Sequence, residues 1–124
     1  MKTKVLAIDD SRTIRSLLSE TLSEAGFEVI TAEDGQEGVE TFAKTKPDVV
    51  ITDINMPRMD GYGVIETLRG KKIATRVPIL VLTTESSAEV KARVRGAGAT
   101  GWIGKPFDDE SLIFAIKRVA GMAG

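Results

Sequence analysis

Five polar residues follow short apolar runs and could together carry out phosphoryl chemistry. Asp9 and Asp10 follow the first run, Asp53 the third, Thr83 the fourth and Lys105 the fifth. Carboxylates that lie close together repel one another, so such a group needs compensating positive charge. Lys105 supplies one charge, and an all-oxygen site with few protein ligands suits Mg²⁺ for the remainder. An ionised carboxylate such as Asp53 is already a nucleophile, so attack on phosphorus needs no general base.

The composition excludes most other chemistry. The 124 residues include no cysteine and no histidine, which removes thiolate nucleophiles, disulfides and the commonest general base. The net charge of -1 provides no basic field to attract nucleic acid or a membrane surface. No apolar run approaches the roughly 20 residues of a membrane span, and the N-terminus is not typical of a signal peptide. We therefore expect one cytoplasmic domain over residues 1–124, with no effector domain.

The apolar runs predict five strands. The first, third and fourth are continuous, which is typical of strands buried on both faces of a parallel sheet. The second alternates and the fifth is short, which favours positions at the edges of the sheet. The runs are Val5–Ile8, Phe27–Ile30, Val49–Ile51, Ile79–Leu82 and Trp102–Ile103.

Helical spacing of apolar residues, with capping signals, fills the intervals between the runs. The helix signals are Ile14, Leu17, Leu18 and Leu22 before Gly26; Asp34 with Glu37; Val64, Ile65 and Leu68 before Gly70; Ser86 with Glu89; and Leu112, Ile113, Ile116 and Val119 after Asp108, Asp109 and Glu110. Strict alternation of strand and helix predicts an α/β fold with helices on both faces of a parallel sheet. Ligands of such sheets bind beyond the carboxyl ends of the strands, where the five polar residues stand.

Each of these residues has a purely structural alternative when it is taken alone. Asp9 or Asp10 could cap a helix, Asp53 could be a turn residue before Pro57, and Lys105 could be solvated. Their coincidence at matching strand ends favours a shared site. Two other site types remain as alternatives: an aspartate-nucleophile phosphatase, which needs an acid where this chain has Asn55, and a flavin carrier, which needs a phosphate loop less acidic than residues 10–13.

Over essentially its whole length the chain resembles the receiver domains of two-component response regulators. The motifs that carry the resemblance are Ile8–Ser11, Asp53–Gly61, Leu82–Thr84 and Gly104–Phe107. The resemblance implies a flavodoxin-like, doubly wound (βα)5 fold with strand order 2-1-3-4-5, which makes strands one and three neighbours.

The resemblance also implies residue roles. Asp53 would accept the phosphoryl group, and Thr83 and Lys105 would recognise it. A Mg²⁺ ion would be coordinated by Asp10, Asp53 and the backbone carbonyl of Asn55, with Asp9 in support. The Lys105–Pro106 bond would be cis.

A conformational switch is a further implication of the resemblance. Thr83 would move toward the phosphoryl group and Trp102 would turn inward, reshaping the face formed by the fourth helix, fifth strand and fifth helix. Two positions depart from the family pattern. Trp102 stands where Tyr or Phe is usual, so we expect its ring to turn less easily. Thr84 stands where a small residue is frequent, so we expect narrower access to Asp53.

The motifs are most similar to single-domain chemotaxis receivers of the CheY type, and Asn55 and Glu85 match receivers that lose their phosphate quickly. The prediction is a monomeric phosphoacceptor that is not an enzyme, although it assists its own phosphorylation and dephosphorylation. It would be phosphorylated by a chemotaxis-type histidine kinase and would bind the flagellar motor switch protein. The alternative is a phosphorelay intermediate or phosphate sink that exchanges phosphate with a histidine phosphotransfer protein.

Overall fold

Five parallel strands alternate with five helices in the computed structural model, which describes residues 2–85 and 87–123. The elements, in chain order, are β1 (Lys4–Ile8), α1 (Arg12–Glu24), β2 (Glu28–Ala32), α2 (Gly35–Thr45), β3 (Val49–Asp53), α3 (Gly61–Arg69), β4 (Ile79–Thr83), α4 (Ala88–Ala97), β5 (Gly101–Gly104) and α5 (Asp109–Ala123). None of the helices in this part of the chain has both the length and the hydrophobicity that crossing a bilayer requires.

The sheet has the order β2-β1-β3-β4-β5, so the predicted fold is confirmed. β2 and β5 lie at the edges, as the alternating second run and the short fifth run indicate. The three central strands are buried on both faces, and every residue of β4 is buried. Continuous apolar runs mark these strands because helices cover both sides of them.

Two hydrophobic cores lie on opposite faces of the sheet. One core packs α1 and α5 against the sheet and includes Ile51 of β3. The other packs α2, α3 and α4 against the sheet and includes Val81 of β4, with Trp102 of β5 at its margin. Since neighbouring strand residues face opposite sides, the position of a residue along its strand decides which helices it meets.

Local signals explain where α1 ends. Gly26 has a φ of 95°, which favours glycine, and its N–H donates to the Ser23 carbonyl at 3.1 Å. The N–H of Phe27 donates to the carbonyl of Leu22 at 3.0 Å. This pair of hydrogen bonds is a Schellman motif, which satisfies carbonyls that the helix end leaves free.

Two details of the helix predictions are wrong. Leu17 was predicted on the apolar face of α1, but its side chain is 45% exposed, because the buried stripe follows Ile14, Leu18 and Leu22 at intervals of one turn. The cap of α4 is Ser87, whose hydroxyl accepts a hydrogen bond from the Val90 N–H at 3.2 Å. The predicted cap, Ser86, lies outside the described residues.

Arg69 joins three segments at the end of the sheet opposite the strand carboxyl ends. Its guanidinium donates hydrogen bonds to the carbonyls of Gly98, Thr75 and Val77 at 2.7 to 2.9 Å. Burial of the guanidinium lowers the pKa of Arg69. The side chain therefore holds the end of α3, the α3–β4 connection and the α4–β5 turn together.

Replacing Arg69 with methionine should lower the free energy of unfolding by about 2 kcal/mol, because three carbonyls lose a charged donor. Methionine keeps most of the apolar stem, so the change isolates the hydrogen bonds. Urea unfolding measures the difference. Arg76→Met, at an exposed position of the same connection, is the matched control and should change stability by less than about 0.5 kcal/mol. Equal stabilities for the two variants would contradict the assignment.

Candidate functional site

Three carboxylates meet at the carboxyl ends of β1 and β3. Asp9 and Asp10 directly follow β1, and Asp53 is the last residue of β3, which pairs with β1. Each residue offers an oxygen within 4.8 Å of the others. Asp9 is buried, Asp53 is half-buried and Asp10 is exposed. The structure thus brings together the acidic residues that the sequence placed at separate strand ends.

Lys105 lies between two of these carboxylates. Its ammonium group is 3.0 Å from Oδ2 of Asp9 and 3.3 Å from Oδ1 of Asp53. The backbone N–H of Lys105 donates to the carbonyl of Thr83 at 2.8 Å, and its peptide bond with Pro106 is cis. The connection after β5 therefore places the lysine where it can contact both acidic strand ends.

Asp9 is held from several directions. Its Oδ1 accepts a hydrogen bond from the N–H of Ser11 at 2.9 Å, and its Oδ2 accepts one from Lys105. Its backbone carbonyl accepts a hydrogen bond from the guanidinium of Arg15 at 2.7 Å. Arg15 is not among the predicted site residues, because a single arginine on a helix carries no sequence signal for such a contact.

The hydrogen bonds to the Asp53 carboxylate fall on one oxygen. Oδ1 accepts from the N–H of Ile54 at 2.8 Å and pairs with Lys105. Within residues 2–85 and 87–123, no group donates a hydrogen bond to Oδ2. The described residues therefore leave this second oxygen without a hydrogen-bond donor.

The electrostatics of the site follow from partial burial. Burial raises the pKa of Asp53, and the neighbouring Asp9 raises it further, while Lys105 and the Ile54 N–H oppose both effects. Burial alone would lower the pKa of Lys105, but its hydrogen bond to Asp9 and the charges of Asp9 and Asp53 outweigh burial, so this pKa is raised. The lysine therefore stays charged at neutral pH.

The donor set fits a hard divalent cation. When all three carboxylates are ionised, the single ammonium group leaves an excess of two negative charges. Oxygen donors with few protein ligands are the coordination that Mg²⁺ prefers. Asn55, the fourth predicted ligand, is exposed in the loop that directly follows Asp53.

Replacing Asp53 with asparagine should stabilise the chain at pH 7 without Mg²⁺ by about 1 kcal/mol, because it removes a partly desolvated charge beside Asp9. The raised pKa of Asp53 means that the folded state keeps its proton to a higher pH than the unfolded state does. The ionised carboxylate therefore destabilises the fold above its folded pKa, and this effect disappears as the pH falls through that pKa. Thermal unfolding from pH 7 to pH 3 measures the difference, which should shrink toward acid. A constant difference would contradict the prediction.

Thr83 and Trp102 belong to the other face of the sheet. Trp102 is the register partner of Val81, and both belong to the core under α2, α3 and α4, whereas Asp53 alternates with Ile51 on the α1–α5 side. Thr83 is 7% exposed, and its hydroxyl accepts a hydrogen bond from the Glu85 N–H at 3.0 Å. Thr83 ends β4, the strand that lies between β3, which ends in Asp53, and β5, which carries Trp102.

Two cations of α4 lie over the indole ring of Trp102. The ammonium of Lys91 is 5.2 Å from the ring centre, and the guanidinium carbon of Arg95 is 5.3 Å from it. Each distance is within the range of a cation–π contact. The half-buried ring is thus held against α4.

A groove of about 270 Å³ opens beside Asn55. It is bordered by the loop after β3, by α3 and by the start of α4. Its polar lining includes Glu85 and Glu89, and Arg93 stacks on the ring of Tyr62 at 3.8 Å from the ring centre. The groove gives solvent and small molecules an approach to the loop that follows Asp53.

Comparison with known proteins gives consistent matches. Residues 5–117 match the family model of the response regulator receiver domain. The solved structure of the Vibrio cholerae chemotaxis protein CheY4 is 45% identical, with a TM-score of 0.91 over 96% of this chain and 99% of that one. Protein PilG of Pseudomonas aeruginosa is 37% identical over 92% of this chain and 84% of its own length.

Other relatives are longer proteins. The probable transcriptional regulator ycf27 of Guillardia theta is 42% identical over 95% of this chain, but the match covers 45% of the relative. The chain thus spans about half the length of the first curated relatives that it matches.

Proposed function

Because this chain belongs to the family of response regulator receiver domains, which are phosphoacceptors, we propose that Asp53 takes the phosphoryl group and that Mg²⁺ binds beside it. The observation that carries this proposal is the ammonium group of Lys105, within 3.3 Å of both Asp9 and Asp53. A cation at this position can neutralise charge on a transferring phosphoryl group as well as on the carboxylates.

The transfer is an in-line displacement. Oδ2 of Asp53 attacks the phosphorus of a phosphohistidine on the kinase, and the new O–P bond forms as the P–N bond breaks. The leaving imidazole nitrogen keeps the electron pair of the broken bond. Lys105 binds one phosphoryl oxygen, and the hydroxyl of Thr83 donates to another. The acyl phosphate is later hydrolysed by water, so the modification is temporary.

The residues that would hold Mg²⁺ are Asp10, Asp53 and the backbone carbonyl of Asn55, supported by Asp9. When bound, the ion supplies positive charge that offsets the carboxylates and the phosphoryl oxygens. Asp53 itself is consumed in each transfer, so the chain is a phosphoacceptor that assists its own phosphorylation and dephosphorylation, and we do not class it as an enzyme.

Phosphorylation would be transmitted to the target by a change in the conformation of the chain. Movement of the Thr83 hydroxyl toward the phosphoryl group vacates space on the α2–α4 side of the sheet, and the ring of Trp102 turns into it. Lys91 and Arg95 lie on this ring, so the exposed surface of α4, β5 and α5 changes with it. Phosphorylation thereby shifts the population toward the form that binds the target.

We propose that the partners of this chain are chemotaxis proteins. The 45% identity with a protein described as a chemotaxis protein supports this choice. A chemotaxis-type histidine kinase would supply the phosphoryl group to a cytoplasmic monomer, and the flagellar motor switch protein would be the target. The second candidate is a phosphorelay intermediate or sink that exchanges phosphate with a histidine phosphotransfer protein. We keep it as a candidate because several relatives are named as transcriptional regulators, so their names describe roles other than chemotaxis.

The acceptor function is tested by incubating the chain with acetyl phosphate and Mg²⁺ and measuring its intact mass. We expect one added phosphoryl group, and none when a chelator is present. An unchanged mass under saturating donor and Mg²⁺ would overturn the proposal.

The output is tested by binding of the purified chain, with and without phosphorylation, to a purified flagellar motor switch protein and to a histidine phosphotransfer protein. Tighter binding of the phosphorylated chain to the motor protein supports chemotaxis. Rapid loss of phosphate to the phosphotransfer protein, without motor binding, would instead support the relay.

A further inference from the structure

The loop between β3 and α3 is joined to the start of α2 by an arginine–aspartate pair. The guanidinium of Arg58 donates from Nε to Oδ2 of Asp34 at 3.0 Å, and from a terminal nitrogen to Oδ1 at 3.0 Å. Asp34 is only 6% exposed, and its Oδ1 also caps α2 by accepting the Glu37 N–H at 2.8 Å. Such a two-pronged pair fixes orientation as well as distance.

The backbone around this pair is unusually constrained. Arg58 has a φ of 65°, a conformation that residues other than glycine rarely adopt unless their surroundings impose it. The next residue, Met59, packs so closely on α2 that a Cβ at Gly35 would collide with its carbonyl oxygen. The N–H of Gly61 donates to the carbonyl of Ile54 at 2.7 Å, which closes the loop onto the end of β3.

The loop held in this way carries Asn55, whose backbone carbonyl is a predicted ligand of Mg²⁺. Asp34 is not itself a candidate ligand, although it forms an acidic cluster with Glu33 and Glu37, because Arg58 pairs with both of its oxygens. The N–H of Glu37 and the charge of Arg58 also lower the pKa of Asp34, so this carboxylate stays ionised and paired at neutral pH.

We propose that Asp34 and Arg58 are positioning residues for the Mg²⁺ site, acting by fixing the loop that presents the Asn55 carbonyl. This inference rests on the proposed function, because it needs the ion beside Asp53. Neither residue touches the reacting atoms. Their effect should therefore fall on Mg²⁺ affinity, while the rate of phosphoryl transfer at saturating Mg²⁺ should change little.

The test uses three variants and one control. Asp34→Ser keeps a helix cap but removes the partner of Arg58, and Arg58→Ala removes the guanidinium while leaving the Asp34 cap intact. Arg58→Lys keeps the charge without the two-pronged geometry. Glu28→Gln is the matched control, since it removes an exposed ion pair with Lys4, 3.9 Å long, at the opposite end of the sheet.

Isothermal titration calorimetry with Mg²⁺ should give a Kd about tenfold weaker for Asp34→Ser and Arg58→Ala than for wild type, as is typical when groups supporting a metal site are lost. Arg58→Lys should be intermediate, and Glu28→Gln should be unchanged. Phosphorylation by acetyl phosphate should be slower at limiting Mg²⁺ and return to within about twofold of wild type at saturating Mg²⁺.

Three outcomes would contradict the proposals, and they can be told apart. If the wild-type chain binds Mg²⁺ and takes phosphate, but Asp34→Ser and Arg58→Ala bind Mg²⁺ with the wild-type Kd, this inference is overturned and the proposed function stands. If the wild-type chain neither binds Mg²⁺ nor takes phosphate, the proposed function is overturned together with the inference. The inference would also be overturned if phosphorylation of Asp34→Ser and Arg58→Ala stayed slow at saturating Mg²⁺. A positioning role predicts that the phosphorylation rate recovers when the site is filled.

Discussion

Asp53→Asn will take up no phosphoryl group from acetyl phosphate and Mg²⁺, under conditions in which the wild-type chain takes one. The amide lacks the nucleophilic oxygen of the carboxylate, so we expect uptake to fall by at least about 10³-fold. Intact mass measured over a time course reports the loss. Because the same substitution should make the fold more stable without Mg²⁺, unfolding of the variant cannot explain it.

A neighbouring carboxylate provides the matched control. Asp60 lies in the loop after Asp53 and caps α3 by accepting the Gly63 N–H at 2.8 Å. Asp60→Asn keeps a capping residue and should still be phosphorylated. Asp9 is a poor substitute acceptor, since its two oxygens are committed to Ser11 and Lys105. Phosphate on the Asp53→Asn chain would show that the acceptor has been assigned to the wrong residue.

Lys105→Met should lower the free energy of unfolding by about 3 kcal/mol at pH 7 without Mg²⁺, because it leaves the buried Asp9 charge without its partner. The side chains of Lys105 and Asp9 are 14% and 2% exposed, so water compensates little for the lost contact. Urea unfolding measures the effect. Lys117→Met, at an exposed position of α5, is the matched control and should be nearly neutral.

The stability lost in Lys105→Met should also depend on Asp53, the second carboxylate that Lys105 contacts. In an Asp53→Asn background, Lys105→Met should cost less than in the wild-type chain, because one of the two charges that Lys105 neutralises is already gone. Falling pH should also narrow the difference in stability between Lys105→Met and the wild-type chain, because Asp53, whose pKa is raised, takes up its proton. Equal losses in both backgrounds would contradict the view that Lys105 compensates Asp53.

Much of the fold and the position of the site are predictable from the sequence, for a geometric reason. Continuous runs such as Val49–Ile51 identify central strands, and the carboxyl ends of parallel strands all meet at one edge of the sheet. Polar residues that closely follow these runs, such as Asp9 and Asp53, must therefore lie at that edge. The order of the elements is enough to place these residues, without any knowledge of side-chain packing.

The residues that hold the site in place are not predictable in this way. Arg58 and Asp34 are 24 positions apart, and nothing in either local sequence indicates a pair. The hydrogen bond from Arg15 to the Asp9 carbonyl likewise depends on how α1 packs. Such contacts follow from tertiary packing, which helical and strand periodicity do not describe.

The two faces of the sheet also bear on how this protein can change over evolution. Asp53 lies on the side covered by α1 and α5, whereas Trp102 lies among α4 residues on the other side, with Thr83 between them. Under the proposed function, mutations at Lys91, Arg95 or Trp102 would therefore change target recognition while leaving the residues that accept the phosphoryl group unchanged. On this proposal, a lineage would acquire a new target protein while keeping the same phosphate donor, in keeping with relatives whose names describe different roles.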